Sequence, residues 1–168
     1  PMAWTPQRTG GFSSAPDPLL VLPPITAPGY DYRVLNVEVQ KALNGSLLNW
    51  HRRMLTSRKL LPALRQGDFQ PLASGHPGVV AYIRQSPEMT VLVAVNLSGT
   101  GASTHLNLAS WQGERVRELL WGCEFPEASA DWFVYLSAYG FGWWLLGDAE
   151  LSDSSQAVAS GESRSASA

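Results

Sequence analysis

The stretch Thr90 to Leu97, TVLVAVNL, decides the fold class. Read at the two-residue period of a strand, both alternating sets are apolar: Val91, Val93 and Val95 on one side, Leu92 and Ala94 on the other. A strand that is apolar on both faces must be covered on both, so it belongs in the middle of a sheet. Its surroundings agree. Strand-like runs at Asp68 to Leu72, Val79 to Arg84, Thr104 to Leu108, Arg115 to Trp121, Trp132 to Leu136 and Tyr139 to Leu146 are separated by turn signals, among them Ser74-Gly75-His76-Pro77, Ser86-Pro87, Ser98-Gly99-Thr100-Gly101 and Gln112-Gly113. Short strands so spaced predict an antiparallel β-sandwich over residues 63–147. A sandwich of that size buries only ~60% of its unfolded surface and is marginal alone, so a neighbouring body is expected.

Upstream, the period changes. Ser46 to Leu61, SLLNWHRRMLTSRKLL, is the one clear helical segment. Ser46 is placed to cap its N-terminus, after an Asn44-Gly45 turn, and Pro62 to stop it. At ~100° per residue the residues Leu47, Leu48, Trp50, Met54, Leu55 and Leu61 share an arc that also holds His51 and Arg58, with Asn49, Arg53, Thr56 and Leu60 opposite. A guanidinium buried in such an arc must be paired, so the helix is expected to pack on a surface that offers acceptors, or to leave the arc exposed.

Before this helix the chain is irregular. Pro1, Pro6, Pro16, Pro18, Pro23, Pro24 and Pro28 interrupt any ladder, and only Val34 to Leu43 predicts a turn or two of helix. A long irregular stretch of this kind usually lies on another body. The chain also opens on Pro1 inside what reads as a loop, which predicts a fragment of a longer parent. Beyond Gly147, residues 148–168 are rich in Ser and Ala and predict a disordered tail or linker.

Composition excludes several classes. The chain has 168 residues, 15% of them charged, and a net charge of -2; its cations are dispersed outside the helix, which leaves no footprint for nucleic acid. Apolar runs are too short for a membrane span, and no signal-peptide pattern opens the chain. The single cysteine, Cys123, excludes an internal disulfide and fits a reducing, cytoplasmic compartment. Three scattered histidines give no metal-ligand spacing.

Catalytic signatures are missing as well. No nucleophile elbow, phosphate loop or dinucleotide fingerprint is present, and Asp17, Asp31, Glu114, Glu118, Glu124 and Glu127 read as solvated surface carboxylates. The expected catalytic set is therefore empty. Two aromatic features remain. Trp143 and Trp144 are adjacent on one strand and must face opposite ways, so one leaves the sandwich core and either packs on a neighbour or stacks on a sugar. Trp4, Arg8 and Phe12 place two aromatics and a cation on a glycine-containing loop, a candidate binding set.

Taken together, Pro1-Met2-Ala3-Trp4 followed by Gly10-Gly11-Phe12, Asn36-Val37-Glu38-Val39-Gln40, Ser46 to Leu55 (SLLNWHRRML), Ala81-Tyr82-Ile83-Arg84, Val91 to Ser98 (VLVAVNLS), Glu118-Leu119-Leu120 with Phe125-Pro126, and Tyr139-Gly140-Phe141 with Trp144 resemble the C-terminal third of trehalose synthases in glycoside hydrolase family 13, the α-amylase superfamily. The first pair is shared with oligo-1,6-glucosidases and α-glucosidases; the second and third are narrower.

The resemblance implies that residues 1–62 are the last loop and outer helix of an incomplete (β/α)8 barrel and that 63–147 are the C-terminal β-sandwich. It implies a parent that interconverts maltose and trehalose by intramolecular glucosyl transfer, through carboxylates upstream of Pro1, so this chain alone is expected to be inactive. Trp4, Arg8 and Phe12 would then lie on an active-site loop. No cofactor is implied here, though calcium is conceivable in the missing domain. The expected partners are maltose or trehalose through the barrel, the barrel itself, a second copy, and a fused or separate maltokinase reached through the tail. The alternatives are a related α-glucosidase or oligo-1,6-glucosidase, or a carbohydrate-binding sandwich. Departures from the family pattern are Ala3 in place of Gln, Thr9-Gly10 in place of Asn-Ala or Asn-Gly, and Gly142-Trp143 before Trp144.

Overall fold

The computed structural model describes residues 1–120 and 122–149. The expectation of a disordered tail falls almost wholly outside them. The chain divides into two compact units, with the boundary between Leu55 and Thr56.

In the second unit the strands are β1 (Asp68–Leu72), β2 (Val79–Gln85), β3 (Thr90–Asn96), β4 (Ala102–Leu106), β5 (Val116–Glu118), β6 (Glu124–Phe125), β7 (Trp132–Leu136) and β8 (Phe141–Leu146). Six of them form one antiparallel sheet in the order β1-β2-β3-β8-β5-β6, and β4 pairs with β7 in a second. The sandwich predicted from the strand spacing is present. β3 is interior to the larger sheet, as its two apolar faces require, between β2 and β8.

Each face of β3 has its own core. Leu92 and Ala94 join Val79, Ala81 and Ile83 of β2 and Trp144 and Leu146 of β8, against Leu106, Trp132, Val134 and Leu136 of the second sheet. Val91 and Val93 point the other way, into a cluster with Leu61, Ala63, Leu64, Met89, Leu119 and Leu145. Trp144 is 3% exposed in the first core, where it meets Trp132 edge-on, ring centroids 5.4 Å apart. Trp143 is half-buried against the second cluster. Both adjacent tryptophans are therefore engaged in packing, because the larger sheet is covered on both sides.

Pro62 does end the long helix, but it also begins another. Leu61 is extended (φ -102, ψ 104), and Pro62 is the first residue of a short helix, Pro62–Gln66. Proline suits that position because its missing N–H would be unsatisfied there anyway. The short helix supplies Ala63 and Leu64 to the second cluster, and the Ala63 carbonyl accepts from Arg84 Nε at 3.3 Å.

Asn96 closes the sandwich. It is 1% exposed, and its Nδ2 donates to the carbonyls of Thr100 at 2.7 Å and Ser137 at 2.8 Å, while its Oδ1 accepts from Ser98 N–H and Oγ–H. One side chain thus ties the end of β3 to the following turn and to the residue after β7, in the opposite sheet.

In the first unit, α1 spans Val37–Ala42, and α2, Leu47–Leu60, begins there. The residues of α2 that are withdrawn from solvent are Leu48, Asn49, Trp50, Arg53, Met54, Ser57 and Leu60, with Ser57 buried and the others half-buried. That stripe is rotated from the apolar arc read in sequence. Asn49, Arg53 and Leu60, assigned to the outer side, are on it, and Leu47 and Leu55 are exposed. His51 and Arg58 are exposed too, so neither carries the cost of a buried charge. A helix with charges and leucines on most sides has no sharply defined apolar face, and the location of its packing partner then selects the stripe.

Candidate functional site

The loop from Pro1 to Phe12 is built on three consecutive residues in the left-handed region: Thr9 (φ 59), Gly10 (φ 64) and Gly11 (φ 71). Glycine adopts this conformation without a Cβ penalty; threonine does not. Thr9 is held in it by burial and by its hydroxyl, which faces the carbonyls of Arg8, at 2.6 Å, and Ser13. The tight curl brings the Gly10 carbonyl onto the N–H groups of Trp4 at 2.7 Å and Thr5 at 3.1 Å. A Cβ on Gly10 would sit 3.3 Å from Ala3 and 3.6 Å from the Phe12 ring, and one on Gly11 would sit 2.7 Å from Thr5 Oγ1.

The residues picked out in sequence occupy this loop as follows. Trp4 is 49% exposed and is anchored by its backbone to Gly10. Phe12 is half-buried, with its ring next to Gly10. Arg8 turns to the 15–17 segment, its Nε donating to Asp17 Oδ1 at 3.2 Å and its Nη2 to the Ala15 carbonyl at 3.5 Å. Trp4 and Phe12 are thus brought to one curl, and Arg8 is committed to Asp17.

The segment after Met2 also caps a helix. Val37 and Glu38 open α1, and their N–H groups, without partners inside the helix, donate to the carbonyls of Ala3 at 3.1 Å and Trp4 at 3.0 Å. Asn36 is the N-cap: Oδ1 accepts from Val39 N–H at 3.0 Å, and Nδ2 donates to the Tyr32 carbonyl at 2.9 Å. In the sequence Asn36 stands out only as part of a family motif and Thr9 only as a departure from one, neither for its structural role. The signal for the first was present, an Asn directly before a short apolar-periodic run; nothing in the sequence marks a threonine for positive φ.

The junction between α1 and α2 is capped reciprocally. Gln40 Oε1 accepts from Leu48 N–H at 3.0 Å and Ser46 Oγ from Asn49 N–H at 3.2 Å, so two orphan donors of α2 are satisfied. In return, Asn49 Nδ2 faces the carbonyls of Gln40, Lys41 and Leu43 at 2.9–3.1 Å, and the Ser46 hydroxyl donates to Gln40 at 2.6 Å. The cap predicted at Ser46 is present as one part of this exchange.

Carboxylates do not converge. Asp17 pairs with Arg8 at the surface. Asp31 is held by Arg33, whose side-chain hydrogen bonds lower its pKa to about 2. Glu114, Glu124 and Glu127 are exposed as expected, but Glu118 is buried on β5, directly across from Trp144 of β8, with Oε2 accepting from Leu120 N–H at 2.9 Å. Its surface reading is corrected: β5 lies between β8 and β6, and the side chain is covered. Among the described residues no group of three or more His, Cys, Asp or Glu side chains gathers that could hold a metal ion. No described helix is long and apolar enough to cross a membrane.

Residues 69–143 match the family model for the maltogenic amylase C-terminal domain. The chain is 40% identical over 150 residues to the trehalose synthase/amylase TreS of Mycobacterium tuberculosis, covering 87% of this chain and 25% of that protein. It is 37% identical to the trehalose synthase of a Pimelobacter species, covering 88% and 27%. Bacillus licheniformis trehalose-6-phosphate hydrolase superposes with a TM-score of 0.69 at 19% identity, over 88% of this chain and 25% of that one, a likeness of fold. The chain thus spans about a quarter of the length of these relatives. With the sandwich built as its strand spacing required, residues 69–143 are a maltogenic amylase C-terminal domain, and the chain resembles the C-terminal part of trehalose synthases of glycoside hydrolase family 13.

Proposed function

We propose that the chain is a non-catalytic portion of an enzyme that interconverts maltose and trehalose by intramolecular glucosyl transfer. The observation that carries this reading is the 40% identity to a trehalose synthase over most of the chain. The first unit supports it. Its shared motifs are occupied with capping: the Ala3 and Trp4 carbonyls accept from Val37 and Glu38 N–H, Gln40 Oε1 from Leu48 N–H, and the Gln40 carbonyl from Asn49 Nδ2. Such a scaffold holds Trp4 and Phe12 as a preformed apolar edge that can border a sugar, while Arg8 is paired with Asp17. The chemistry of the transfer requires a nucleophilic carboxylate and an acid–base carboxyl on opposite sides of the bond, and those groups belong to a barrel domain in this reading. Any calcium would belong to the barrel as well, and the same reading places the parent in the cytoplasm, with a second copy or a maltokinase as further partners.

The test is to express the full open reading frame that contains this chain and supply maltose. Trehalose as the main product, with a minor release of glucose, is the expected result. Glucose alone would favour the hydrolase alternative, for which a 28% identity to a probable oligo-1,6-glucosidase of Bacillus subtilis speaks. Robust turnover of maltose by this chain alone would overturn the non-catalytic reading.

A further inference from the structure

The sandwich is not closed all round. β1 is an edge strand of the larger sheet, and next to it the chain leaves β4 through a single 3-10 turn, Ala109–Trp111. Between them lies a cleft of about 290 Å³, near the lower limit of the ~300–1,000 Å³ typical of ligand pockets. Gln70, Pro71 and Leu72 of β1 line one side, and Asn107, Ser110 and Trp111 line the other. Leu72 and Trp111 are both partly buried and packed against the first core, so the floor is apolar and fixed.

The walls are polar without being charged. Asn107 Oδ1 accepts from Ala109 N–H at 3.0 Å, which orients the amide and leaves its Nδ2 donors to a ligand. The Gln70 amide and the Ser110 hydroxyl have no protein partner among the described residues. The turn that carries Ser110 and Trp111 is tied down: Trp111 N–H donates to the Leu108 carbonyl at 2.9 Å, Glu114 N–H to Trp111 at 3.0 Å and Gly113 N–H to Ala128 at 2.9 Å, and Leu108 itself is fully buried. An indole, two amides and a hydroxyl, with no ionic group to favour an anion or a cation, suit a ligand that is neutral, has one weakly apolar face and carries hydroxyls around its edge. A pyranose ring meets that description.

We propose that this open end of the sandwich, between Gln70 and Trp111, is a binding site for a neutral sugar of about the size of one glucose residue. It lies on the β-rich unit and is independent of the assignment of the parent's reaction. Its affinity is millimolar, because the cleft is open and few side chains anchor the ligand.

The test is a heteronuclear NMR titration of this chain with methyl α-glucoside, maltose and trehalose, with glycerol as a control. The expected result is saturable shifts of the Trp111 indole N–H, the Gln70 side-chain amide and the Ser110 backbone, with none from glycerol at equal concentration. Trp111→Ala removes them. Because Trp111 also packs on the core, Gln70→Ala and Ser110→Ala serve as surface variants, each weakening binding about threefold to tenfold, the equivalent of one hydrogen bond, with an unchanged amide spectrum elsewhere. Absence of saturation with all three sugars, equal shifts with glycerol, or shifts confined to the Trp4 loop would overturn the proposal.

Discussion

The indole of Trp144 lies directly over the α-carbon of Gly142, two residues earlier on β8: a Cβ added at Gly142 would collide with the six-membered ring. The pair explains a glycine in the interior of a strand, where the residue is otherwise unfavourable. The ring is itself 3% exposed and set edge-on against Trp132 and Phe125, which restricts its movement aside. Gly142→Ala is expected to destabilise the sandwich by ~1–3 kcal/mol through overpacking. Urea unfolding followed by tryptophan fluorescence measures this; an unchanged midpoint would show that the indole repacks freely.

Asn96 joins the end of β3 to backbone in the opposite sheet, its one amide facing the Thr100, Leu136 and Ser137 carbonyls together. Asn96→Leu, close in size, removes the side-chain donor to Leu136 and Ser137 and the acceptor of Ser98 N–H, while the Thr100 carbonyl keeps the Ser98 hydroxyl. Each buried polar group so orphaned costs ~1–3 kcal/mol, so this substitution is expected to exceed Gly142→Ala in effect. Comparison of the two thermal midpoints decides the order.

Asn49 serves three carbonyls at the end of α1, and Gln40 an N–H at the start of α2. Asn49→Ala removes the three carbonyl contacts and leaves that of Gln40 in place, at an expected ~1–2 kcal/mol by analogy with helix-cap losses. The readout is amide exchange. Protection of the α1 and α2 amides near the junction should fall, while that of β3 and β8 stays as it was.

Asp31 and Arg33 form a pair in which the carboxyl has a pKa of about 2 against an ordinary value of 3.8. A depressed folded pKa favours folding above the unfolded value, and that contribution is lost as pH falls from about 4 towards 2. The side-chain carboxyl resonance of Asp31 should therefore titrate with a midpoint near pH 2. Arg33→Ala should return it to the usual carboxylate range, because the Arg33 hydrogen bonds are the main cause of the shift.

Gly11 has a positive φ and faces Thr5 Oγ1. Gly11→Ala combines left-handed strain, ~1–2 kcal/mol for a residue with a Cβ, with a close contact that Thr5 must relieve. The loop should become more sensitive to limited proteolysis between residues 5 and 16, and the sheets should not.

What was readable in the sequence is what local chemistry dictates. The double-sided apolar character of TVLVAVNL placed β3 inside a sheet, and the period-two runs and turn residues around it defined an antiparallel sandwich. Pro62 and Ser46 marked helix limits, since the missing N–H of one and the hydroxyl of the other act on adjacent backbone. Tertiary structure decided the rest. Which stripe of α2 is covered depends on what packs there, and a segment with leucines and arginines on several sides does not specify it alone. Glu118 is buried because β5 lies between two other strands, and both Trp143 and Trp144 pack because the large sheet has a core on each face. The motif residues Asn36, Gln40, Asn49 and Asn96 could be read as family marks, but their physical task appears only in three dimensions. Asn36 acts locally, three and four residues away, but Gln40, Asn49 and above all Asn96 satisfy backbone groups further along the chain, and such hydrogen bonds leave no periodic trace in the sequence.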